Sequence, residues 1–196
     1  MQKKYIPIVI LLLAACLIAF SSCEINISTN GNNNPVIGIS PPSNTPQTGG
    51  TAHLGAQTKT SGCDAHGGLP DSACTPGSIF TNATPDQICA YGYTRRVRNV
   101  PYSEKDQAFA EYGIGQHYPG EFEIDHLVPL ELGGSNDIAN LWPEAASPKP
   151  GFHEKDKVEN YLHDQVCSGA MSLKDAQNQI ATNWLAVYQR MPPQYQ

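Results

Sequence analysis

From residue 62 onward, short apolar runs alternate with turn-forming clusters, and the period of each run predicts its element. Phe122-Glu123-Ile124-Asp125 alternates apolar and acidic, the period of a half-buried strand. Pro129 and then Gly133-Gly134-Ser135-Asn136 break it. A second short strand is predicted from Ile138 to Trp142, ended by Pro143, so that the two form a hairpin with a wide loop. After Pro148-Lys149-Pro150-Gly151 a helix begins near His153. Its apolar stripe is Val158, Tyr161, Leu162 and Val166, and Ser168-Gly169 stops it. Ser172 caps a last helix whose Leu173, Ala176, Ile180, Trp184, Val187 and Tyr188 share one face. Upstream, Ser103 with Asp106 three residues on resembles an N-cap, opening a short helix through Phe109 toward Tyr112. Leu69 to Gly77 is turn-rich and irregular, and Gly113 to Gly120 is loop. The expected class is α+β: strand, strand, helix, then a packing helix, behind an irregular N-terminal segment.

Before residue 62 the pattern changes twice. Lys3 and Lys4 precede an apolar run from Tyr5 to Phe20, followed by Ser21-Ser22-Cys23, the layout of a secretory signal peptide. That run, which includes Pro7, falls short of the ~20 residues a spanning helix needs. Phe20-Ser21-Ser22-Cys23 resembles a bacterial lipobox, in which the cysteine is lipidated and becomes the mature N-terminus. Leu13-Ala14-Ala15-Cys16 is a closer match, but cleavage there would leave Leu17 to Phe20 apolar; Cys23 is the expected lipidation site. From Glu24 to about Ser61 the chain turns to Asn, Ser, Thr, Gly, Pro and Gln, a composition that buries too little apolar surface to offset the entropy of ordering. The expected division is a lipoprotein-type signal peptide at 1–22, a flexible low-complexity tether at 23–61 and one domain at 62–196. The expected location is outside the cytoplasmic membrane, at the cell surface on a lipid anchor.

Cysteine usage fits that compartment. Setting aside Cys16 and Cys23 leaves Cys63, Cys74, Cys89 and Cys167, enough for two disulfides with three possible connectivities. The expected pairs are Cys63–Cys74 and Cys89–Cys167. The second would close a loop of about 78 residues, contributing roughly 4–5 kcal/mol by loop-closure entropy. A zinc site is the rival, but no Cys-x-x-Cys pair occurs.

Charge narrows the partners. The chain carries 12 Lys+Arg against 18 Asp+Glu. From Cys63 on there are 9 basic and 17 acidic side chains, a net of −8. Nucleic-acid binders usually show a basic footprint. Here only Arg95-Arg96-Val97-Arg98 is a basic cluster, readable either as a solvated edge strand or turn or as phosphate contacts by Arg95, Arg96 and Arg98. A metal ion supplies positive charge that side-chain counts miss. Binding of a nucleic acid would then be weak, metal-dependent and lost as salt rises.

The chemistry concentrates between Asp125 and Leu141. Asp125-His126-Leu127-Val128-Pro129, then Gly133-Gly134-Ser135-Asn136, then Asn140-Leu141, closely resembles the signature of the HNH (ββα-metal) nucleases, in which a helix bearing a histidine follows. A wider resemblance, from Leu69 to about Tyr188, is to secreted bacterial proteins described as HNH endonucleases. It includes Gly92-Tyr93-Thr94, Asn140-Leu141-Trp142-Pro143-Glu144 and Lys155-Asp156-Lys157-Val158-Glu159-Asn160. The resemblance implies a metal-dependent endonuclease acting on DNA or RNA, with DNA the expected substrate. Its fold would be a ββα-metal hairpin plus helix.

Phosphodiester hydrolysis needs a deprotonated water, charge stabilisation on the phosphoryl oxygens and help for the leaving alkoxide. An imidazole with an unperturbed pKa near ~6.5 is suited to take a proton at neutral pH, which makes His126 the candidate base. Asp125 offers a hard oxygen and His153 an imidazole, a donor set compatible with one Mg, Mn, Zn or Ni ion. By the family pattern Asn140 bridges the hairpin with its amide and holds the His126 loop. His153 stands farther beyond Asn140 than the helical histidine of common HNH versions, but a hairpin-to-helix connection should be short, which favours it over His163. His163, Asn160 and Glu123 are secondary candidates, each also readable as an ordinary surface or strand residue. His53, His66 and His117 sit in loops and receive no role. On a regular strand Asp125 and His126 point to opposite faces, so a shared site requires the strand to end or bulge there.

Two other classes fit the sequence less well. A surface lipoprotein module on the same fold, binding metal or ligand without turnover, suits the acidic balance. A hydrolase of another ester ranks last, since no carboxylate pair of glycosidase type stands out.

Overall fold

The computed structural model describes residues 26–29, 35–38 and 54–196. The signal peptide at 1–22, Cys16, the lipidation cysteine Cys23 and His53 lie outside the described residues. The chain divides into two units, 1–48 and 49–196.

In the first unit β1 (Asn26–Thr29) pairs antiparallel with β2 (Pro35–Gly38), with Ile27 opposite Ile37. The stretch read from composition as a flexible tether therefore contains a hairpin. Its β-branched residues supply the extended propensity that the surrounding Asn and Gly lack.

The second unit is α+β, a two-stranded antiparallel sheet with helices. It begins earlier than the composition suggested. Leu54 packs against the core, Gly55 N–H donates to Gly77 O at 2.9 Å, Gln57 Nε2 donates to Glu111 Oε2 at 2.7 Å, and Lys59 pairs with Asp71 at 2.8 Å. Residues 54–61, expected in the tether, are thus tied to the domain by contacts that only the fold supplies.

Three short helices follow: α1 (Pro85–Ile88), α2 (Tyr93–Val97) and α3 (Tyr102–Glu111). The Arg95–Arg98 cluster is neither edge strand nor turn but the end of α2, which Gly92 opens in a left-handed conformation (φ 75°). Ser103 does not cap α3. It lies inside the helix, and Pro101 holds the N-cap position, where its fixed φ and missing N–H cost nothing.

The sheet is β3 (Phe122–His126) against β4 (Leu141–Ala145), with Ile124 opposite Pro143, Asp125 opposite Trp142 and His126 opposite Leu141. The second strand starts later than predicted and runs through Pro143. Ile138–Asn140 is instead a 3₁₀ turn, capped by Asp137 Oδ1 accepting from Ala139 N–H at 2.9 Å. Leu127 N–H donates to Asn140 O, and Ala146 N–H to Glu121 O. In an antiparallel ladder this alternation makes 123/144 and 125/142 the hydrogen-bonded pairs. Pro143 falls between them, where its missing N–H would have faced away from β3, so the ladder loses nothing.

The loop between the strands is compact. A 3₁₀ turn at Leu130–Leu132 leads into Gly133 and Gly134, and a Cβ at Gly134 would stand 1.7 Å from Val128 O. Only glycine permits that approach.

Two long helices close the domain. In α4 (Phe152–Cys167), Glu154 Oε2 accepts from Gly151 N–H at 3.0 Å. In α5 (Leu173–Arg190), Ser172 Oγ accepts from Asp175 N–H at 3.1 Å, the expected cap. A break at Asn183 (φ −168°, ψ 85°) interrupts α5, and Asn183 Oδ1 recaps the second half by accepting from Ala186 N–H at 2.9 Å. The apolar stripes meet as predicted: Val158, Leu162 and Val166 pack with Ala176, Ile180, Trp184 and Val187, joined by Val128 and Leu132 from the hairpin loop. Each such side chain contributes roughly 1.5–3 kcal/mol by burial. Both disulfides brace this core: Cys63–Cys74 (Cα–Cα 6.0 Å) and Cys89–Cys167 (5.7 Å), the latter joining the end of α1 to the end of α4.

Candidate functional site

Asp125 and His126 are the last two residues of β3, and α4 packs behind them. The link between strand and helix is a side chain with no assigned role in the sequence reading. Lys155, fully buried, donates from Nζ to Asp125 Oδ2 at 2.6 Å and to His126 O at 2.8 Å, and pairs with Glu159 Oε1 one turn along α4. Glu144 Oε2 on β4 stands 4.0 Å from the same ammonium. One cation thus ties both strands of the hairpin to the helix.

Those neighbours set the protonation states. Burial would raise the Asp125 carboxyl, but the charge and hydrogen bond of Lys155 outweigh it and hold Asp125 below the usual carboxylate range. Lys155 is likewise disfavoured as a cation by burial, yet Asp125 first and then Glu159 hold its pKa well above its ordinary range. Glu144, 1% exposed, is pushed up to about 10 by burial, and Asp125 raises it further through its charge and a side-chain hydrogen bond. It is an uncharged acid at neutral pH.

His126 is 2% exposed, and burial, with Arg98 and Lys155 nearby, lowers its pKa to about 4 against the opposing pull of Asp125. Its ring is therefore neutral at pH 7, the form that can accept a proton. Nε2 faces Asn136 Oδ1 at 3.3 Å. Asn136 in turn donates from Nδ2 to Val97 O at 2.8 Å, which joins the hairpin loop to the end of α2.

Asn140 is fully buried and uses its whole amide. Oδ1 accepts from Val128 N–H at 2.9 Å and Ser78 N–H at 3.3 Å, while Nδ2 donates to Val128 O at 2.9 Å and Ser135 O at 2.8 Å. It clamps the loop that follows His126.

The remaining candidates separate. His153, in the first turn of α4, is exposed and rests on Phe152 with ring centroids 4.3 Å apart. Asp156, one turn on, feels both Asp125 and His153. Its carboxyl is raised by burial and then by Asp125, and lowered by His153. Glu123 is raised by burial, then by Asp125 and Asp156. Among the arginines, only Arg98 acts on His126 and Glu123; Arg96 donates instead to Tyr91 O at 2.7 Å. Asn160 turns back to Asp156 O at 2.8 Å. His163 is not turned toward Asp125: its Nε2 faces Ile88 O at 3.3 Å and Cys167 Sγ at 3.4 Å, at the disulfide end of α4.

Among the described residues, no group of three or more His, Cys or carboxylate donors close enough to share an ion includes Asp125 or His153. The Asp125 charge raises the proton affinity of both Glu123 and Asp156, while Lys155 offsets part of it for each, helped by Arg98 at Glu123 and by His153 at Asp156. The Asp125 side chain is 17% exposed, so its carboxylate is not sealed off by Lys155. Hard oxygen plus imidazole suits a divalent ion. Among the described residues, the tightest His, Cys and carboxylate grouping is elsewhere: Cys89, His163 and Cys167, with donor atoms within 4.8 Å of one another. Its two sulfurs are bonded to each other, which leaves no thiolate to bind metal.

A cavity of about 510 Å³ is lined by Tyr112, Phe122, Trp142, Glu144 and Pro148 among others, but not by Asp125 or His126. No helix among the described residues is long and apolar enough to cross a membrane. No family model, curated protein or solved structure matches the chain.

Sequence reasoning missed Lys155, Glu144, Asp156 and Asn136. Two signals were available: Lys155 and Glu159 stand at i,i+4 on a helix, and His153 and Asp156 at i,i+3.

Proposed function

We propose that the chain is a metal-dependent endonuclease of the HNH type, hydrolysing phosphodiester bonds of DNA, or of RNA, outside the cytoplasmic membrane and held there by a lipid on Cys23. The observation that carries this reading is a buried imidazole at the end of an antiparallel strand, next to a carboxylate, with a helix locked behind both. His126 accepts the proton of the attacking water. Asn140 fixes the loop that carries it, and Lys155 fixes Asp125. Asp125 and His153 would hold one divalent ion. When bound, that ion supplies stabilisation of charge on the phosphoryl and leaving oxygens. Arg98, beside His126 at the end of α2, contributes a cation for the substrate phosphate in a domain otherwise acidic.

The test is incubation of the purified chain with supercoiled plasmid and Mg, Mn, Zn or Ni. His126→Ala should lower the nicking rate by roughly 10²–10⁴-fold. Cleavage that survives His126→Ala unchanged removes the mechanism. A second reading, a metal- or ligand-binding module without turnover, is favoured by one feature: Lys155 already engages Asp125 Oδ2. Inactivity with every metal, alongside metal-dependent thermal stabilisation, would select it.

A further inference from the structure

We propose that Asn136 is a positioning residue that fixes His126 with its hydrogen on Nε2 and leaves Nδ1 as the proton-accepting atom. The inference rests on the reading of His126 as the base and deepens it.

The orientation of the Asn136 amide is forced by its backbone partners. Val97 O, 2.8 Å from Nδ2, can only accept a hydrogen bond, and Asn99 N–H, 3.2 Å from Oδ1, can only donate one. Flipping the amide would set two acceptors against each other on one side and two donors on the other. The atom that His126 Nε2 meets at 3.3 Å is therefore the amide oxygen, which has no proton to give. Nε2 must carry the hydrogen. With that hydrogen committed to the amide oxygen, Nδ1 is the ring nitrogen at which a proton can be taken up. Among the described residues Nδ1 has no hydrogen-bond partner.

The same amide holds the backbone around Arg98. Val97 and Asn99 flank that residue, and Asn136 bonds a backbone group of each. The backbone on both sides of Arg98 is pinned to the side chain that orients the base. The end of α2 is thereby tied to the loop that carries Asn136.

The test uses the full chain labelled with ¹⁵N-histidine, with the His126 signals identified by their loss in His126→Gln. In the native protein Nδ1 should be unprotonated, and Nε2 should carry a proton that exchanges slowly with solvent. In Asn136→Ala that slow exchange should be lost, and plasmid nicking should fall roughly 10²-fold, the cost of a misplaced catalytic group. A native His126 with its proton on Nδ1 overturns the inference without any variant. So does an Asn136→Ala protein whose Nε2 proton stays protected. Should the native chain nick nothing, the nuclease reading fails, while the tautomer still reports on Asn136; nicking with the proton on Nδ1 sinks this inference alone.

Discussion

Replacing Lys155 by methionine would test the central ion cluster most directly. Met keeps most of the aliphatic stem and removes the ammonium, so packing is largely conserved. Asp125 Oδ2, His126 O and Glu159 Oε1 each lose a donor, and Glu144 loses its only cationic neighbour within 4.0 Å. Removing one partner of a buried ion pair costs about 3–5 kcal/mol, because the other charge is left in a poorly solvated site. Against a total stability of about 5–15 kcal/mol for a domain, that is a large fraction. With a urea dependence of about 2 kcal/mol per molar, the unfolding midpoint should fall by roughly 2 M. Trp142 and Trp184, both buried, report the transition by fluorescence with the disulfides intact. The loss should also depend on pH. Lys155 is what depresses the Asp125 pKa, and a depressed carboxyl contributes stability above its unfolded value near 3.8 that disappears as pH falls through the folded value. The variant should therefore suffer most at neutral pH, and its deficit should shrink only as pH falls well below 3.8. A midpoint shift worth less than 1 kcal/mol, as for an exposed pair, would refute the reasoning.

Glu144 behaves oppositely. Its folded pKa of about 10 means that the native state keeps a proton which the unfolded chain releases near pH 4.5, so stability declines as pH rises between those values. Glu144→Gln should raise the melting temperature at pH 8 and leave it nearly unchanged at pH 4.5; equal shifts at both pH values would contradict the assignment. The disulfides should differ in weight. Opening Cys89–Cys167 with paired serines releases a separation of 78 residues and should cost roughly 4–5 kcal/mol in urea unfolding, against about 3 for Cys63–Cys74, whose loop is far shorter. A larger loss from the shorter loop would mean that local packing, not chain entropy, sets their value.

A small charged domain places its chemistry where an ion cluster can be shielded without being sealed. Lys155 and Glu144 are fully buried, yet the Asp125 side chain retains 17% of its surface and His153 lies in the open. The buried half of the cluster holds the hairpin against α4. The exposed half borders Glu123 and Asp156, whose carboxyls are raised by burial and then by the Asp125 charge.

Periodicity alone determined α4, α5, the first strand and the faces they bury, because each depends on apolar spacing within one segment. Val158, Leu162, Ala176, Ile180 and Trp184 are buried for that local reason. The spacing of Asp125, His126, Gly133, Gly134 and Asn140 likewise marked the site, since glycine tolerance and amide bridging act within one loop. Other features depended on partners far along the chain. Pro143 continues β4 only because the hydrogen-bond register turns its missing N–H outward, a fact of pairing with Ile124. Lys155 is a buried cation only because residues 30 positions earlier come within 2.8 Å of its nitrogen. The Asn136 amide has a fixed orientation toward His126 Nε2 only because α2, 39 residues upstream, supplies Val97 O. A residue's element follows from its neighbours in sequence, but its protonation state and orientation follow from neighbours in space, and only the folded chain brings those together.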